Sequence, residues 1–374
     1  MLTGTRPRIV LTMIVKDEAH VIQRCLATVR PIIDAFCIVD TGSTDGTQDL
    51  IRKVLSDLPG EVIDRPWVDF ATNRTQALEL ARLFGEFSLM IDADVECVLD
   101  AELDVELFRH SLVEDLYRIE LHDGIRYQRP LLTSTAHEFT YRGVLHEFLV
   151  IPDGAVDGGI LQGVHYRSNF DGARSANPTK FTDDAALLTR ALASGEDPDL
   201  TDRYTFYLAQ SLRDAGNTTG AEMAYRARAG MGGWPEELYV SLLWQARMMS
   251  RLRRPLGAVL EVLAHAHEVR PTRAEAWCEA ARQAREAGLM QLAHGFARRA
   301  SDCDEPADGL FLETDCYRWR GLYEYAIAAF YAGDLGGGAR ACHRLLYEDH
   351  LPETERRTIV DALRFYPADA FTYA

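Results

Sequence analysis

Two aspartates, one residue apart, follow a short apolar run in the segment SLMIDADVE. If the strand continues through them, Asp92 and Asp94 lie on the same face, because alternate side chains of a strand point the same way. Two carboxylates at so short a distance repel each other, and each raises the pKa of its neighbour. A divalent cation removes this conflict, and hard oxygen ligands suit Mg²⁺ or Mn²⁺. We therefore expect a cation site at this pair.

Two further Asp-x-Asp pairs, Asp197/Asp199 and Asp302/Asp304, have different surroundings. They lie in the polar segments ASGEDPDLTD and ASDCDEPAD, which are typical of solvated turns. Only the first pair follows an apolar run, so it alone is a candidate site.

A second polar loop, TGSTDGT, follows the apolar run 36–39. Asp40 stands directly before this loop, where its carboxylate can accept hydrogen bonds from a base or a ribose. Gly42 permits a tight turn, and Ser43 or Thr44 can cap the helix that follows. A capped turn without a ligand explains the same residues equally well.

The elements around these loops alternate between short apolar runs and amphipathic stretches. Strands are predicted at 8–15, 36–39, 61–63 and 89–91, and helices at 18–31, 44–58 and 70–84. This alternation favours an α/β domain with a mostly parallel sheet flanked by helices. Ligands bind outside the carboxyl ends of such strands, which is where both acidic loops lie.

From about residue 179 onward the pattern is helical throughout and periodic. Four small residues recur, each followed seven residues later by a turn position: Ala209/Gly216, Ala246/Arg253, Ala281/Gly288 and Ala326/Gly333. A period near 34–37 residues, with one longer gap, resembles tetratricopeptide repeats. We expect an all-α tetratricopeptide-like solenoid, with a plain helical bundle as the alternative. The predicted domains are 1–172 and 173–374.

The composition excludes several classes of function. The chain has 374 residues, 47% of them hydrophobic, and a formal net charge of -17 at pH 7. An acidic surface repels phosphate backbones, so nucleic acid is not an expected partner. No apolar run approaches the roughly 20 residues of a transmembrane segment. Seven cysteines without a Cys-x-x-Cys pair indicate free thiols in a reducing compartment, so we expect a cytoplasmic protein.

Four blocks in order, MIVKDEAHVIQRCL, IVDTGSTDGT, FATNRTQALELA and LMIDADVE, resemble the N-terminal half of family-2 glycosyltransferases. The catalytic domain of that family has the nucleotide-sugar-binding fold called GT-A. The later segments YRGVLHEFL and LQGVHYRS, followed by helical repeats, resemble a bacterial and phage branch with a tetratricopeptide tail.

The resemblance implies a set of nucleotide-sugar-binding residues, namely Asp17, Glu18, Asp40, Arg74, Asp92 and Ala93. Asp40 would contact the base, Asp92 the ribose, and Arg74 the base or a phosphate. Asp17 and Glu18 would line the nucleotide pocket. An ordinary helix-surface arginine is the alternative for Arg74, and a polar helix start is the alternative for the pair at 17 and 18.

The resemblance also implies a metal ligand and a base. Asp94 would ligate the metal that bridges the diphosphate, and His165 would complete its ligands, as a downstream histidine does in some relatives. Glu147 would take the proton of the acceptor, with His146 orienting a group beside it. A salt bridge with Arg142 is the alternative for Glu147, and a buried structural histidine is the alternative for His165.

The function so implied is an inverting, metal-dependent glycosyltransferase with Mn²⁺ or Mg²⁺ as cofactor and a nucleoside-diphosphate sugar, a uridine one, as donor. Repeat solenoids hold extended peptides, so we expect a peptide or protein side chain as acceptor, with a glycan or surface polysaccharide as the alternative. The repeats also leave a homodimer open. Intact Asp40, Asp92 and Asp94 disfavour a non-enzymatic scaffold. The missing glycine-rich phosphate loop disfavours a nucleotidyltransferase.

Overall fold

The computed structural model describes residues 8–122, 126–306, 309–347 and 350–366. The chain forms two compact units, residues 1–191 and 192–374. The division falls inside helix α5, Lys180–Ser194, which is later than the boundary at residue 172 that the sequence suggests. Each unit is described by itself.

The first unit is built on one mixed sheet. Its eight strands have the order β3-β2-β1-β4-β7-β6-β10-β5 among the described residues. Their bounds are β1 Ile9–Val15, β2 Ala35–Asp40, β3 Gly60–Asp64, β4 Phe87–Met90, β5 Val95–Leu99, β6 Leu116–His122, β7 Arg126–Ser134 and β10 Asp157–Ser168. A separate two-stranded sheet consists of β8 Thr140–Arg142 and β9 Phe148–Val150. Pairing is parallel from β3 to β4 and between β6 and β10, and antiparallel at the other three junctions.

Among the described residues before α5, this unit has four α-helices, of which the sequence predicts three. They are α1 Ile22–Val29, α2 Thr47–Val54, α3 Phe70–Ala81 and the short α4 Val105–His110. In α1 the buried residues are Ile22, Cys25, Leu26 and Val29, the i, i+3, i+4, i+7 stripe of a helix packed on a sheet. The prediction began this helix at residue 18, four residues too early. The peptide N–H groups of residues 17 and 18 instead donate to side chains of the next loop.

The register of the parallel strands decides where the loops meet. Val15 of β1 is paired with Asp40 of β2, and Thr12 of β1 with Met90 of β4. The carboxyl ends of these three strands therefore lie at one edge of the sheet. The loops that follow them, at 16–21, 41–46 and 91–94, are the ones that carry the acidic residues. This edge is where an α/β sheet binds its ligand.

The second unit is all-helical in its described part. Its helices are α6 Thr201–Asp214, α7 Thr218–Ala229, α8 Pro235–Arg251, α9 Leu256–Val269, α10 Glu275–Glu286, α11 Met290–Ser301, α12 Gly321–Ala332, α13 Leu335–Tyr347 and α14 Glu353–Leu363. The pairs α6/α7, α8/α9, α10/α11 and α12/α13 pack on each other. The small residue predicted in the first helix of each pair is fully buried. The repeat pattern is thus confirmed.

The turn between the paired helices is made in the same way four times. The predicted turn residues have positive φ angles of 79° at Gly216, 55° at Arg253, 77° at Gly288 and 81° at Gly333. Glycine adopts this left-handed conformation without strain, whereas a residue with a Cβ does not. Glycine therefore recurs here because the backbone needs a positive φ angle. Arg253 is the exception, and its backbone is strained at this position.

Two glycines of one repeat test this requirement. Gly288 ends α10 with a positive φ, Gly295 lies inside α11, and a Cβ at either position meets no atom within 4 Å. We expect Gly288→Ala to lower the free energy of unfolding by about 1 kcal/mol, and Gly295→Ala to raise it by roughly 0.5–1 kcal/mol. Chemical denaturation followed by far-ultraviolet circular dichroism measures both. Changes of the same sign would contradict the assignment.

Candidate functional site

The loop after β1 is fastened to the loop after β2. The N–H of Asp17 donates to Ser43 Oγ at 2.9 Å, and the N–H of Thr44 donates to Asp17 Oδ1 at 2.7 Å. The N–H of Glu18 donates to Thr47 Oγ1 at 2.8 Å. Asp17 takes a positive φ of 56° to make these contacts. Its carboxylate therefore has a structural use in holding two loops of the predicted nucleotide pocket together.

Asp40 ends β2 as a fully buried carboxylate. Its Oδ1 accepts hydrogen bonds from the N–H groups of Gly42 and Ser43 and from Gln48 Nε2, at 2.8 to 2.9 Å. Burial acts to raise the pKa of Asp40, but these hydrogen bonds outweigh it and lower the pKa. Its Oδ2 is buried and has no hydrogen-bond partner among the described residues. Asp40 thus presents an ionised oxygen that can accept a hydrogen bond from a ligand.

The Asp92-Ala93-Asp94 segment is a turn, and the expectation of an extended pair is wrong. β4 ends at Met90, and the N–H of Val95, which begins β5, donates to the carbonyl of Asp92 at 3.1 Å. The two aspartates therefore have different surroundings. Ala93 between them is buried, at 5% exposed.

Asp92 belongs to a buried ion-pair cluster around Arg74, which lies in α3. Arg74 Nη2 is 2.6 Å from Asp92 Oδ1, and Arg74 Nε is 2.7 Å from Glu147 Oε1. The Nε–H is not directed at Glu147, so that second contact is an ion pair without an aligned hydrogen bond. The Arg74 side chain is only 6% exposed. The alternative of a helix-surface arginine is therefore wrong.

The charges in this cluster stabilise one another. Burial acts to lower the pKa of Arg74, but the Asp92 and Glu147 carboxylates outweigh it and raise the pKa. Burial acts to raise the pKa of Asp92, but Arg74 and then Arg129 outweigh it and lower the pKa. The guanidinium also lies 5.8 Å from the centre of the Tyr141 ring. Arg74 and Asp92 thus stabilise each other in their charged forms.

The pKa values of Asp94 and Glu18 are shifted upward, in the opposite direction to that of Asp92. Burial and the nearby Asp92 raise the pKa of Asp94. Burial, together with Asp94 and Asp92, raises the pKa of Glu18 to about 7. Their hydrogen bonds come from backbone N–H groups, Gly172 to Asp94 Oδ2 at 3.3 Å and Ala173 to Glu18 Oε2 at 3.2 Å. Among the described residues, these two carboxylates therefore have no cationic side chain in contact comparable with Arg74 at Asp92.

The segment 169–173, which the motifs do not mark, closes over these carboxylates. Asp171 pairs with Arg24 of α1 through contacts of 2.9 and 2.6 Å, and Asn169 Nδ2 donates to the carbonyl of Asp94 at 3.2 Å. The sequence gives no local signal for this, because the two ends of the Arg24–Asp171 pair are 147 residues apart.

His165, the histidine predicted to ligate the metal with Asp94, has other contacts. His165 stacks on His122 with ring centres 4.3 Å apart, and burial and then His122 lower its pKa. Its neighbour Tyr166 lines the cavity beside Asp94, and adjacent strand residues face opposite sides of a sheet. The assignment of His165 to the metal is therefore corrected. His146 is exposed at a positive φ of 52°, next to the buried side chain of Glu147.

The carboxylates fit a cation that a ligand completes. In the ranges that the structure describes, no group of three or more His, Cys, Asp or Glu side chains could hold a metal ion alone. Mg²⁺ and Mn²⁺, however, are commonly bound by one or two carboxylates together with substrate phosphates. Asp94 and Glu18 supply such oxygen atoms, and a cation would relieve the repulsion that raises their pKa values. The donor set therefore fits.

A cavity of about 230 Å³ lies beside the cluster. Its lining includes Arg74, Asp92, Asp94, Tyr127, Arg129 and Phe170. Motif reasoning missed Tyr127 and Arg129, because β7 lies in the segment where the resemblance is loose. Their alternation with Leu131, which is buried, is the signal that could have placed them on the inner face of a strand.

Residues 11–102, which span β1 to β5 with their loops, match the model of glycosyl transferase family 2. This segment belongs to that family. Over 101 residues, 27% of this chain and 24% of the relative, it is 36% identical to a TPR repeat-containing protein from Synechococcus elongatus. Over 105 residues, 28% of this chain and 35% of the relative, it is 30% identical to an uncharacterized glycosyltransferase from Rickettsia felis. The aligned regions are thus a quarter to a third of these relatives' length.

Solved structures resemble the chain at lower sequence identity. A tetratricopeptide repeat protein from Parabacteroides merdae is 14% identical, with a TM-score of 0.39, over 50% of this chain and 67% of that one. S. aureus TarS 1–349 in complex with UDP-GlcNAc is 14% identical, with a TM-score of 0.37, over 71% of this chain and 90% of that one. None of the helices in the described part of our chain combines the length and apolarity that a membrane span requires.

The raised pKa of Glu18 predicts a dependence of stability on pH in metal-free buffer. Because its pKa is about 7 instead of the ordinary 4.5, the folded state binds this proton more tightly than the unfolded state. The stabilisation is complete below pH 4.5 and is lost as the pH rises through 7. Glu18→Gln keeps the neutral form, so we expect it to gain on the order of 2 kcal/mol over the wild type between pH 5 and pH 8.

Denaturation at the two pH values with EDTA present measures this gain. Glu138→Gln is the matched control, because the Glu138 side chain is 87% exposed. A gain for Glu18→Gln no larger than that of the control would contradict the electrostatic account.

Proposed function

We propose that this protein is an inverting, cation-dependent glycosyltransferase that uses a nucleoside-diphosphate sugar. One observation carries the proposal. The family 2 segment has Asp40, Asp92 and Asp94 at one edge of the sheet, where the pKa values of Asp40 and Asp92 are lowered and that of Asp94 is raised. A structural cluster would pair all three carboxylates, whereas among the described residues Asp94 has no cationic side chain in contact and Asp40 has an oxygen without a hydrogen-bond partner.

The donor is held by residues of three loops. The unused Oδ2 of Asp40 accepts a hydrogen bond from a base N–H, which suits uracil, because its N3–H is a donor. Asp92, kept anionic by Arg74, accepts from the ribose hydroxyls. Arg74 acts as a positioning residue through Asp92 and Glu147, while Asp17 holds the loops of the pocket together.

Asp94, with Glu18 beside it, would hold Mn²⁺ or Mg²⁺. The cation supplies positive charge to the leaving diphosphate. The transfer itself forms a bond from the acceptor oxygen to the sugar C1 while the bond from C1 to the diphosphate oxygen breaks. The acceptor proton passes to a carboxylate of the protein. Attack from the face opposite the leaving group inverts the configuration at C1.

Glu147 is the carboxylate that we assign to this proton. It lies in the segment between β8 and β9, and its ion pair with Arg74, which also contacts Asp92, fixes the position of its carboxylate. A base must be held in place before the acceptor arrives, and this ion pair meets that condition. His146, next to it and exposed, has access to an acceptor that approaches from solvent.

The acceptor is proposed to be a peptide or protein side chain, held by the helical repeats of the second unit, with a glycan as the second candidate. Helical repeats of this kind form extended concave binding surfaces, and we base the proposed acceptor groove on this property. A homodimer through the repeats is proposed on the same general ground. The seven cysteines are all free, and six of them are buried. This pattern supports a reducing, cytoplasmic location.

Asp94→Asn tests the donor and cation assignments together. Hydrolysis and transfer from a panel of nucleotide sugars are measured with Mn²⁺ and with EDTA. We expect one donor to be turned over by the wild type with Mn²⁺ alone, and Asp94→Asn to lose at least about 100-fold in rate, since the charge that binds the cation is gone. Asp49→Asn is the control, because the Asp49 side chain is 91% exposed. Full activity in Asp94→Asn would refute the cation site.

Glu147→Gln separates the base from the donor site. We expect the rate of transfer to fall by about 100-fold or more, because general-base catalysis contributes that much. The Kd for the nucleotide should change less than threefold, since Gln keeps the shape of the side chain. Transfer kinetics and isothermal titration calorimetry measure the two quantities. Equal losses in rate and affinity would assign Glu147 a structural role only.

A further inference from the structure

Arg129 is an arginine on the cavity wall that no motif marks. It lies in β7, where Ile119 of β6 is its cross-strand partner and Leu131 is the next residue on the same face. Ile119 is 0% exposed and Leu131 is 5% exposed. The guanidinium therefore leaves an apolar part of the sheet and borders the same cavity as Asp92 and Asp94.

Among the described residues, the charge of Arg129 has no direct partner. Its side chain makes no hydrogen bond and no ion pair within 4 Å with any of them, whereas most arginine side chains of this unit make at least one. The carboxylate that it influences is Asp92, whose Oδ1 is already 2.6 Å from Arg74. Arg129 is half-buried, and its nitrogen atoms are not among the buried polar atoms that lack a partner, so its charge is accessible to an anion from a ligand.

We propose that Arg129 binds an anionic oxygen of the donor, so that this cavity recognises a negatively charged group of the bound nucleotide sugar. The proposal rests on the proposed function and adds to it a binding residue that the family segment, residues 11–102, does not contain. Two parts of a donor carry such an oxygen, namely the diphosphate and the carboxylate of an acidic sugar. A guanidinium binds either one with two parallel hydrogen bonds.

Two aromatic side chains support a ligand at this wall. Tyr127, on the same face of β7, is 43% exposed, and Phe170 is 63% exposed, and both line the cavity. Phe170 also has a positive φ of 55°, which is uncommon for a residue with a bulky side chain. Exposed aromatic faces beside an unpaired cation are suited to the apolar face of a sugar ring whose polar groups reach the guanidinium.

The rival explanation is that Arg129 only balances the charge of Asp92. Arg74 is shared between Asp92 and Glu147, so a second cation nearby would help the fold. That role predicts a lower melting temperature for Arg129→Ala without ligand, and the same loss of affinity for every ligand. A binding role predicts a loss that appears only for ligands with the anionic group.

Calorimetry on the full chain distinguishes these roles. Four proteins are compared, namely the wild type, Arg129→Ala, Arg129→Lys and the control Arg118→Ala. Each is titrated in Mn²⁺ buffer with uridine, UMP, UDP, UDP-glucose and UDP-glucuronate. If the donor panel selects another nucleoside, the same series is used with that nucleoside. Arg118 lies on the neighbouring strand, is exposed, and pairs with Asp157 outside the cavity. Melting temperatures of the free proteins are measured in parallel.

We expect Arg129→Ala to weaken binding at least tenfold, a change of about 1.4 kcal/mol, for the ligands that carry the group. A loss for UDP but not for uridine supports the diphosphate as the source. A loss for UDP-glucuronate but not for UDP or UDP-glucose supports the sugar carboxylate. Arg129→Lys should recover part of the affinity, since it keeps the charge but not the paired hydrogen bonds.

An unchanged affinity for every ligand, or an equal loss that includes uridine, overturns the assignment. If the wild type binds none of the ligands, the proposed function fails and the assignment of Arg129 fails with it. The two failures are therefore distinguishable. If only the assignment of Arg129 fails, the wild type still binds the nucleotide, whereas if the proposed function fails it does not.

Discussion

The buried guanidinium of Arg74 is the interaction on which the rest of the site depends. It joins α3, the turn between β4 and β5, and the segment before β9, through Asp92 and Glu147. The Arg74 and Glu147 side chains are 6% and 8% exposed, so removing Glu147 would leave the buried guanidinium with only the partly exposed Asp92, 38% exposed, to balance its charge. Charge therefore holds the three segments together, and a hydrogen bond from the Tyr141 N–H to Thr75 Oγ1 also joins β8 to α3. The position of the Asp92-Ala93-Asp94 turn follows from this cluster.

The cluster also explains why two aspartates so close in sequence differ so much. Asp92 lies against Arg74 and has a lowered pKa, while Asp94 lies across the turn from it, against backbone N–H groups, and has a raised pKa. A strand would have placed both carboxylates on one face and made them equivalent. The turn gives the two carboxylates different surroundings, so that Asp92 lies against Arg74 while Asp94 lies against a backbone N–H group.

Local periodicity in the sequence predicted the fold well, and long-range contacts decided what it could not predict. The strands β1 to β4 and the four left-handed turns at Gly216, Arg253, Gly288 and Gly333 follow from patterns within a few residues. The partners of the site do not. Gly172 reaches Asp94 across 78 residues, and Ala173 reaches Glu18 across 155. The same limit explains the corrections for Arg74 and His165, because no local pattern shows which strand a side chain will meet.

Recognition in so acidic a chain has to be local. A net charge of -17 repels a diphosphate at long range, but in physiological salt this repulsion is screened beyond about 8 Å. Within that distance the described site offers three different contacts, an unused carboxylate oxygen at Asp40, two carboxylates without a cationic partner at Asp94 and Glu18, and an unpaired guanidinium at Arg129. A ligand with a base N–H, a bound cation and an anionic oxygen complements all three at once. Of these groups, the Asp40 oxygen is a buried atom without a hydrogen-bond partner among the described residues, so a ligand without a donor there would leave it unsatisfied. Such local penalties, rather than the overall charge, would give the proposed site its selectivity.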